Sequence, residues 1–510
     1  MLTTKPVMIT KYLIVLMLVD TSLALTCPTG CECNDDTYVV KCERSKLDVL
    51  PITLNPAIQR LVLRNNKIKT VDGAAFQFYR DLQYVDLSSN HLINIPTKSF
   101  LQQDKLQELH LNKNKLSMVN NKTFQGLKSL TVLNLRENFI QELPHGLFSI
   151  LPKLEELNLG QNRISKIDAL AFDGLLALRI LFLDDNQLTS VPTPSFSVMG
   201  SLAELHVGLN DFTVLPDDSF AGLGKLTVLD LSGAGLSNIS ENAFRGMTGL
   251  RSLNLADNRL RTVPTQQLSH LNRLEELTIG QNEFVELEEN SFKNLNNLRK
   301  LDVTGASYLE RIAKGAFNDN LNLETIILAS NRKLQRIDDG ALVGLPNLRH
   351  LTLRENSFTS FAESMLAWNE LRSLELTDNP IHCDCQLLWL GNLLAMKNLT
   401  TVQCMSPPQL KEKTLRTLSA DDLGCSFRDP RQKAILVTLC VSALLIVCII
   451  GLLLFRYRQR VREALKQHKW NKRTPISRKE HEYQKTFSDE EFIIRHAHQH
   501  NLKPIPVTEL

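Results

Sequence analysis

Long stretches of this 510-residue chain lack the features that ordinary enzymes and soluble domains show. No cysteine stands between Cys42 and Cys383, so neither a disulfide nor a thiolate metal site falls in the central three hundred residues. Aromatic residues make up only 6% of the chain. No Gly-rich phosphate loop, nucleophile elbow or kinase signature occurs, and no set of residues suggests catalysis, a cofactor or a metal. No charge interrupts residues 434–455. The formal charge of +3 is small and reflects a basic segment after that run, so it does not argue for nucleic-acid binding.

What is present is a period. Phe76, Phe100, Phe124, Phe148, Phe172, Phe196, Phe220 and Phe244 follow one another at 24-residue intervals. A fixed spacing of this size marks one small structural unit repeated along an axis. Residues 154–175, LEELNLGQNRISKIDALAFDGL, match residues 106–127, LQELHLNKNKLSMVNNKTFQGL, position by position. The frame yields 14 copies, starting at Ile58, Leu82, Leu106, Leu130, Leu154, Leu178, Leu202, Leu226, Leu250, Leu274, Leu298, Leu323, Leu348 and Leu371, and covering 58–379.

The frame L-x-x-L-x-L-x-x-N-x-L resembles the 24-residue extracellular leucine-rich repeat. Alternation in L-x-L turns both leucines inward and the residue between them outward, which is a short strand. Stacked copies predict an α/β solenoid, a curved horseshoe lined by a parallel concave sheet. The Asn turns the chain inward and satisfies buried backbone groups worth roughly 1–3 kcal/mol each. The Phe fills the wider convex side, where no strand is expected. Ala234 and Ala306 replace the Asn, and the copies at Leu298 and Leu323 have 25 residues. A change of curvature and simple drift are both open explanations.

The flanks describe an exported, anchored chain. Residues 1–24 read as a signal peptide, with Lys5 and Lys11 before a short apolar run and Ser22 and Ala24 at its end. Cys27, Cys31, Cys33 and Cys42 in 25–57, and Cys383, Cys385, Cys404 and Cys425 in 380–427, resemble the two cysteine caps of extracellular leucine-rich-repeat proteins. The resemblance implies the pairs Cys27–Cys33, Cys31–Cys42, Cys383–Cys404 and Cys385–Cys425; spacing alone leaves three pairings in each cluster. Residues 428–433 form a linker and 434–455 suit a membrane-spanning helix. The basic run from Arg456 predicts a cytoplasmic tail over 456–510, mostly disordered, and hence a type I single-pass protein of the plasma membrane. That run is either a contact with anionic membrane lipid or only a stop-transfer signal. Asn121, Asn238 and Asn398 head glycosylation sequons. The last residues, Val507-Thr508-Glu509-Leu510, are similar to a class I PDZ ligand, in which the Leu510 carboxylate enters a backbone nest and Thr508 donates a hydrogen bond.

The outward strand positions locate a binding surface. Ile180, Phe182, Asp184, His206 and Val228 fall on neighbouring copies and combine apolar groups with charge, as interaction sites do. A rival explanation is that Ile180 and Phe182 merely pack on each other. Fourteen strands give an inner arc of about 60 Å, enough for a protein ligand. His110 and His206 are too far apart to share a metal, and His496, His498 and His500 suit a solvated tail. The caps and frame resemble those of Slit, the Nogo receptor and Toll-like receptor ectodomains. That resemblance implies a receptor or adhesion protein that binds an extracellular protein and recruits a PDZ scaffold. A matrix organiser using the ectodomain alone and an innate immune co-receptor without a Toll-type domain are the alternatives.

Overall fold

The L-x-L element of each copy lays down one strand, and the constant frame brings all of them side by side. The computed structural model describes residues 27–397, 401–425 and 430–470. Its main feature is a 16-stranded sheet. The strands Glu32–Asn34 and Val39–Lys41 form an antiparallel hairpin at its start. All later strands, from Arg60–Val62 to Ser373–Glu375, are parallel. Each residue faces its counterpart one copy on: Leu157 lies opposite Leu181, and Leu181 opposite Leu205. The copies lacking the Asn keep this register, with Leu229 opposite Leu253 and Leu301 opposite Ile326.

The core is a set of aligned ladders. Leu157, Leu159, Leu181 and Leu183 are sealed inside. Behind them the periodic phenylalanines form a spine. Ring centroids are 6.2 Å apart for Phe124–Phe148, 6.1 Å for Phe148–Phe172 and 6.4 Å for Phe172–Phe196. Burying each such side chain contributes roughly 1.5–3 kcal/mol before conformational entropy is set against it. No copy could achieve this alone, because each ring is covered by the rings of neighbouring coils.

The Asn clasps its own coil to the preceding one. Asn162 Nδ2 donates to Leu135 O of the preceding coil and to Leu159 O of its own, both at 3.0 Å. Its Oδ1 accepts from Ile140 N–H at 3.2 Å. Asn114, Asn138, Asn210, Asn258 and Asn282 repeat the arrangement. At Ala234 the main chain takes over. Gly233 and Gly235 adopt φ of 62° and 75°, and the Ala234 carbonyl itself accepts Phe212 N–H at 2.9 Å. At Ala306 the contact comes from the next coil, where Asn331 Oδ1 accepts the N–H of Ala306 itself at 2.7 Å. Both irregular copies are thus accommodated in their turns, with the sheet left continuous.

The far side is not free of strands, contrary to the expectation from the repeat. Glu142–Leu143 pairs with Lys166–Ile167, Val214–Leu215 with Asn238–Ile239, and Glu286–Leu287, Arg311–Ile312 and Arg336–Ile337 make a three-stranded sheet. Equal coil lengths set equivalent residues side by side, so even two extended residues find a ladder. Short helical turns also occur there, at Gly73–Phe76, Thr193–Phe196 and Thr265–Leu268.

Disulfides close both ends. Cys27 is joined to Cys33, Cys31 to Cys42, Cys383 to Cys404 and Cys385 to Cys425. At the C-terminal end the helix Leu388–Lys397 lays Leu390 and Leu394 over the core. Lys397 Nζ donates to Leu371 O at 2.9 Å and so caps the carbonyl that ends the short turn Trp368–Glu370.

A second unit begins at Phe427. Its helix, Pro430–Trp470, has 41 residues, about 60 Å at 1.5 Å per residue. One stretch of it, Ala434–Leu465, is long and apolar enough to cross a membrane. The apolar run expected over 434–455 therefore lies in a longer helix that continues into the basic segment. Residues 1–24, Asn398, the histidines at 496–500, Thr508 and Leu510 lie outside the described residues.

Candidate ligand-binding surface

The concave sheet has three outward columns, and each has a different job. In the central column many residues are Asp or Asn, and these serve the backbone. Asn158 Oδ1 accepts Gly160 N–H at 3.1 Å, Asp230 Oδ1 accepts Ser232 N–H at 2.9 Å, and Asn254 Oδ1 accepts Ala256 N–H at 3.0 Å. Asp86, Asn134 and Asp302 do the same. An Asx side chain bonding two residues on is a favoured local closure. Central positions without Asp or Asn are released from this task, and Phe182 and His206 are two of them, on adjacent strands.

The five residues expected from the sequence lie on three consecutive coils. Ile180 and Phe182 share the strand Ile180–Phe182, with Asp184 just beyond it; His206 is in register with Phe182, and Val228 with Glu204. Ile180, Phe182, His206 and Val228 are all half-buried. Phe182 stacks on His206, with ring centroids 4.6 Å apart and planes 15° from parallel.

His206 is clamped between carboxylates. Its Nε2 lies 2.7 Å from Glu204 Oε1 and its Nδ1 3.5 Å from Asp230 Oδ2. Burial works against the charge on the imidazole, but Asp230 and Glu204 outweigh it and hold its pKa above the ordinary histidine value. For Asp230 burial acts in the opposite direction, yet bonding to His206 and Ser232 keeps its pKa below the usual carboxylate value. When His206 carries its proton, the stack on Phe182 is also a cation–π contact. A related arrangement occurs nearer the N-terminus. There His110 bonds Glu108 at 3.2 Å and packs on Tyr84, which carries the Arg60 guanidinium 3.4 Å from its ring centroid.

Asp184 looks the other way. Its Oδ2 accepts from Arg136 Nη1 at 2.9 Å, from a coil two copies earlier. The coil between them presents Gly160, and a Cβ there would lie 2.4 Å from Arg136 Nη1 and 2.6 Å from Asp184 Oδ1. Glycine in this third column has another cause elsewhere. A Cβ on Gly208 would meet Ser232 O at 2.4 Å, and one on Gly280 would meet Thr304 O at 2.0 Å. The shallow floor along this column thus follows from close packing of adjacent coils.

Sequence reasoning missed Arg136 as a partner of Asp184, and Asp230 as a partner of His206. The repeat frame held both signals, since Arg136, Gly160 and Asp184 occupy one frame position, as do His206 and Asp230. Leu209 was also missed: it is 51% exposed at a φ of 53°, and its Cδ2 fills the space beside Gly233. Asn121 and Asn238 are exposed and lie off the concave sheet. Among the described residues no group of acidic, His and Cys side chains has metal-binding geometry.

A disulfide-capped solenoid with an open, chemically varied sheet is the architecture of a binding protein. The leucine rich repeat family model matches residues 80–138, 128–188, 200–260, 248–309, 297–358 and 321–381, together more than half of the chain. The chain belongs to the leucine-rich repeat family. It is 34% identical to human chondroadherin over 112 residues, which is 22% of this chain and 30% of that protein. It is 28% identical to rat leucine-rich repeat and fibronectin type-III domain-containing protein 4 over 147 residues, 22% of this chain and 23% of the relative. Mouse Toll-like receptor 2 is 27% identical over 150 residues, 27% of this chain and 18% of the receptor. The chain thus spans less than a third of the length of each. Among solved structures, a TLR13–ssRNA13 complex superposes with a TM-score of 0.54 at 24% identity, covering 72% of this chain and 61% of that one. That likeness is one of fold.

Proposed function

We propose that this chain is a cell-surface receptor or adhesion protein that binds an extracellular protein on the concave sheet around Phe182. The observation that carries this reading is the pairing of Phe182 with His206 on an uncovered sheet, bordered by Ile180 and Val228. Aromatic groups set among aliphatic and charged neighbours are the usual energetic centres of protein interfaces. Disulfide-sealed ends favour an extracellular setting, and the helix containing Ala434–Leu465 supplies a single membrane anchor. The basic residues that follow the apolar run 434–455 favour an arrangement with the solenoid outside and the basic tail in the cytoplasm. Exposure of Asn121 and Asn238 away from the sheet suits glycans that leave the binding face clear.

In this reading the terminal Val507–Leu510 recruits a PDZ-domain scaffold by adding a strand to its sheet, with Leu510 and Thr508 making the specific contacts. The basic run after the apolar stretch meets anionic lipid. The test is capture of cell-surface proteins by full-length protein and by Phe182→Ala. Retention of every captured protein by Phe182→Ala would show that the partner binds elsewhere. Loss of PDZ binding on removal of Leu510 checks the tail separately.

A matrix organiser acting through the solenoid alone is the second reading. It is favoured by closure of both solenoid ends independently of the helical unit. Rescue of a null phenotype by a form lacking 456–510 would support it.

A further inference from the structure

The charge on the concave sheet is unevenly divided. Its N-terminal coils present Arg60, Arg64 and Arg136, and its C-terminal coils Lys300 and Arg354. Between them, the five coils beginning at Leu154, Leu178, Leu202, Leu226 and Leu250 present no Lys or Arg on the strands or on the two residues that follow the buried aliphatic residue after each strand, although Arg179 and Arg251 stand just before two of the strands. The same positions carry Glu156, Asp184, Asp185, Glu204, Asp230 and Asp257. The whole chain is close to balanced, with 58 basic and 55 acidic residues, so this band is a local selection.

Internal partners account for only half of those carboxylates. Arg136 meets Asp184, and His206 lies between Glu204 and Asp230. Glu156, Asp185 and Asp257 have no ion-pair partner among the described residues. They border an apolar strip made by Ile180, Phe182, Val228 and Leu209, of which Phe182 is centred on the His206 stack. A sheet face of this kind is complementary to a chain that carries cations on either side of an apolar side chain.

Resting on the reading of this patch as a protein-binding site, we propose that its partner is a basic polypeptide segment, lysine- or arginine-rich, with an aromatic or aliphatic residue seated on Phe182. The cations meet Glu156, Asp185 and Asp257 at the rim, and the apolar residue covers the strip between Val228 and Leu209. Like-charge repulsion turns nucleic acid and acidic protein away from the same face.

The test uses full-length protein in uncharged detergent. Three fluorescent probes are titrated: a short peptide alternating lysine with phenylalanine, its glutamate analogue, and a single-stranded RNA. The lysine peptide should bind at least about tenfold more tightly than either other probe, and weaken as salt rises. The triple variant Glu156→Gln, Asp185→Asn, Asp257→Asn should lose most of that preference while keeping its melting temperature. Equal binding of the glutamate peptide or of RNA overturns the proposal, as does unchanged lysine-peptide binding by the triple variant. If a captured surface protein is lost on Phe182→Ala but kept by the triple variant, the cationic partner is rejected and the binding patch stands. Loss in the triple variant with retention in Phe182→Ala rejects the aromatic centre instead.

Discussion

Arg136 reaches over Gly160 to Asp184, 2.9 Å from Nη1 to Oδ2, between residues 48 positions apart. The pair spans a whole coil because that coil withholds its side chain. Gly160→Ala places a methyl group against both charged groups. It should lower stability by about 1–3 kcal/mol, the usual cost of overpacking. A double-mutant cycle with Arg136→Ala and Asp184→Asn should give a coupling of about 0.5–1 kcal/mol, discounted because both side chains remain partly exposed. Thermal unfolding of the four proteins checks the value, and zero coupling would mean the pair is incidental.

Two phenylalanines ten residues apart should behave oppositely. Phe172 is buried in the spine, 1% exposed, and Phe172→Ala should cost about 3–5 kcal/mol. Phe182 faces the concave surface, and Phe182→Ala should leave unfolding within about 1 kcal/mol of the parent while removing partner binding. Comparable losses of stability in both would mean that Phe182 is structural.

Removing one rung of the Asn ladder strips both a donor and an acceptor from buried backbone. Asn162→Ala should destabilise by about 1–3 kcal/mol. The reverse change, Ala234→Asn, should bring no gain, because the Ala234 carbonyl already accepts Phe212 N–H. A clear rise in melting temperature for Ala234→Asn would show that this carbonyl is a poor substitute.

His206 gives a pH dependence of defined sign. Its pKa is raised in the folded chain, so its contribution is fully present below the ordinary histidine value of about 6.5. That contribution fades as pH rises through the raised value. Asp230 has a lowered pKa, so its share is present above about 3.9 and is lost as pH falls through the folded value. The difference in stability between parent and His206→Gln should therefore shrink on the alkaline side, as followed by denaturant titration across pH. A gap that widens there would contradict the clamp.

The disulfide Cys385–Cys425 closes a loop with a sequence separation of 40. Chain-entropy arguments assign such a loop about 4 kcal/mol. The paired replacement of both cysteines by serine should loosen the C-terminal end first. Hydrogen exchange in Leu390–Leu394 is the measurement, and unchanged protection there would show that the packing of the helix suffices.

The period made the sheet, the Phe spine and the Asn ladder legible, since each is a contact between identical frame positions. The turn at Ala234 was not legible, because its solution uses backbone angles supplied by two glycines. The two-residue strands of the far side carry no periodicity of their own and arise only when coils align. In the candidate site, Glu204 and His206 are neighbours in one strand and could be read together. Asp230 and Arg136 required laying separate copies over one another, and the Arg136–Asp184 contact required noticing the absence at Gly160.

Ala234 and Ala306 interrupt the run of amides that ties each coil to the one before it. A pull along the solenoid axis would not be shared evenly. Extension would begin at these two turns, where a peptide carbonyl or a borrowed side chain stands in for a built-in clasp, and the tract between them would part from its neighbours as a block.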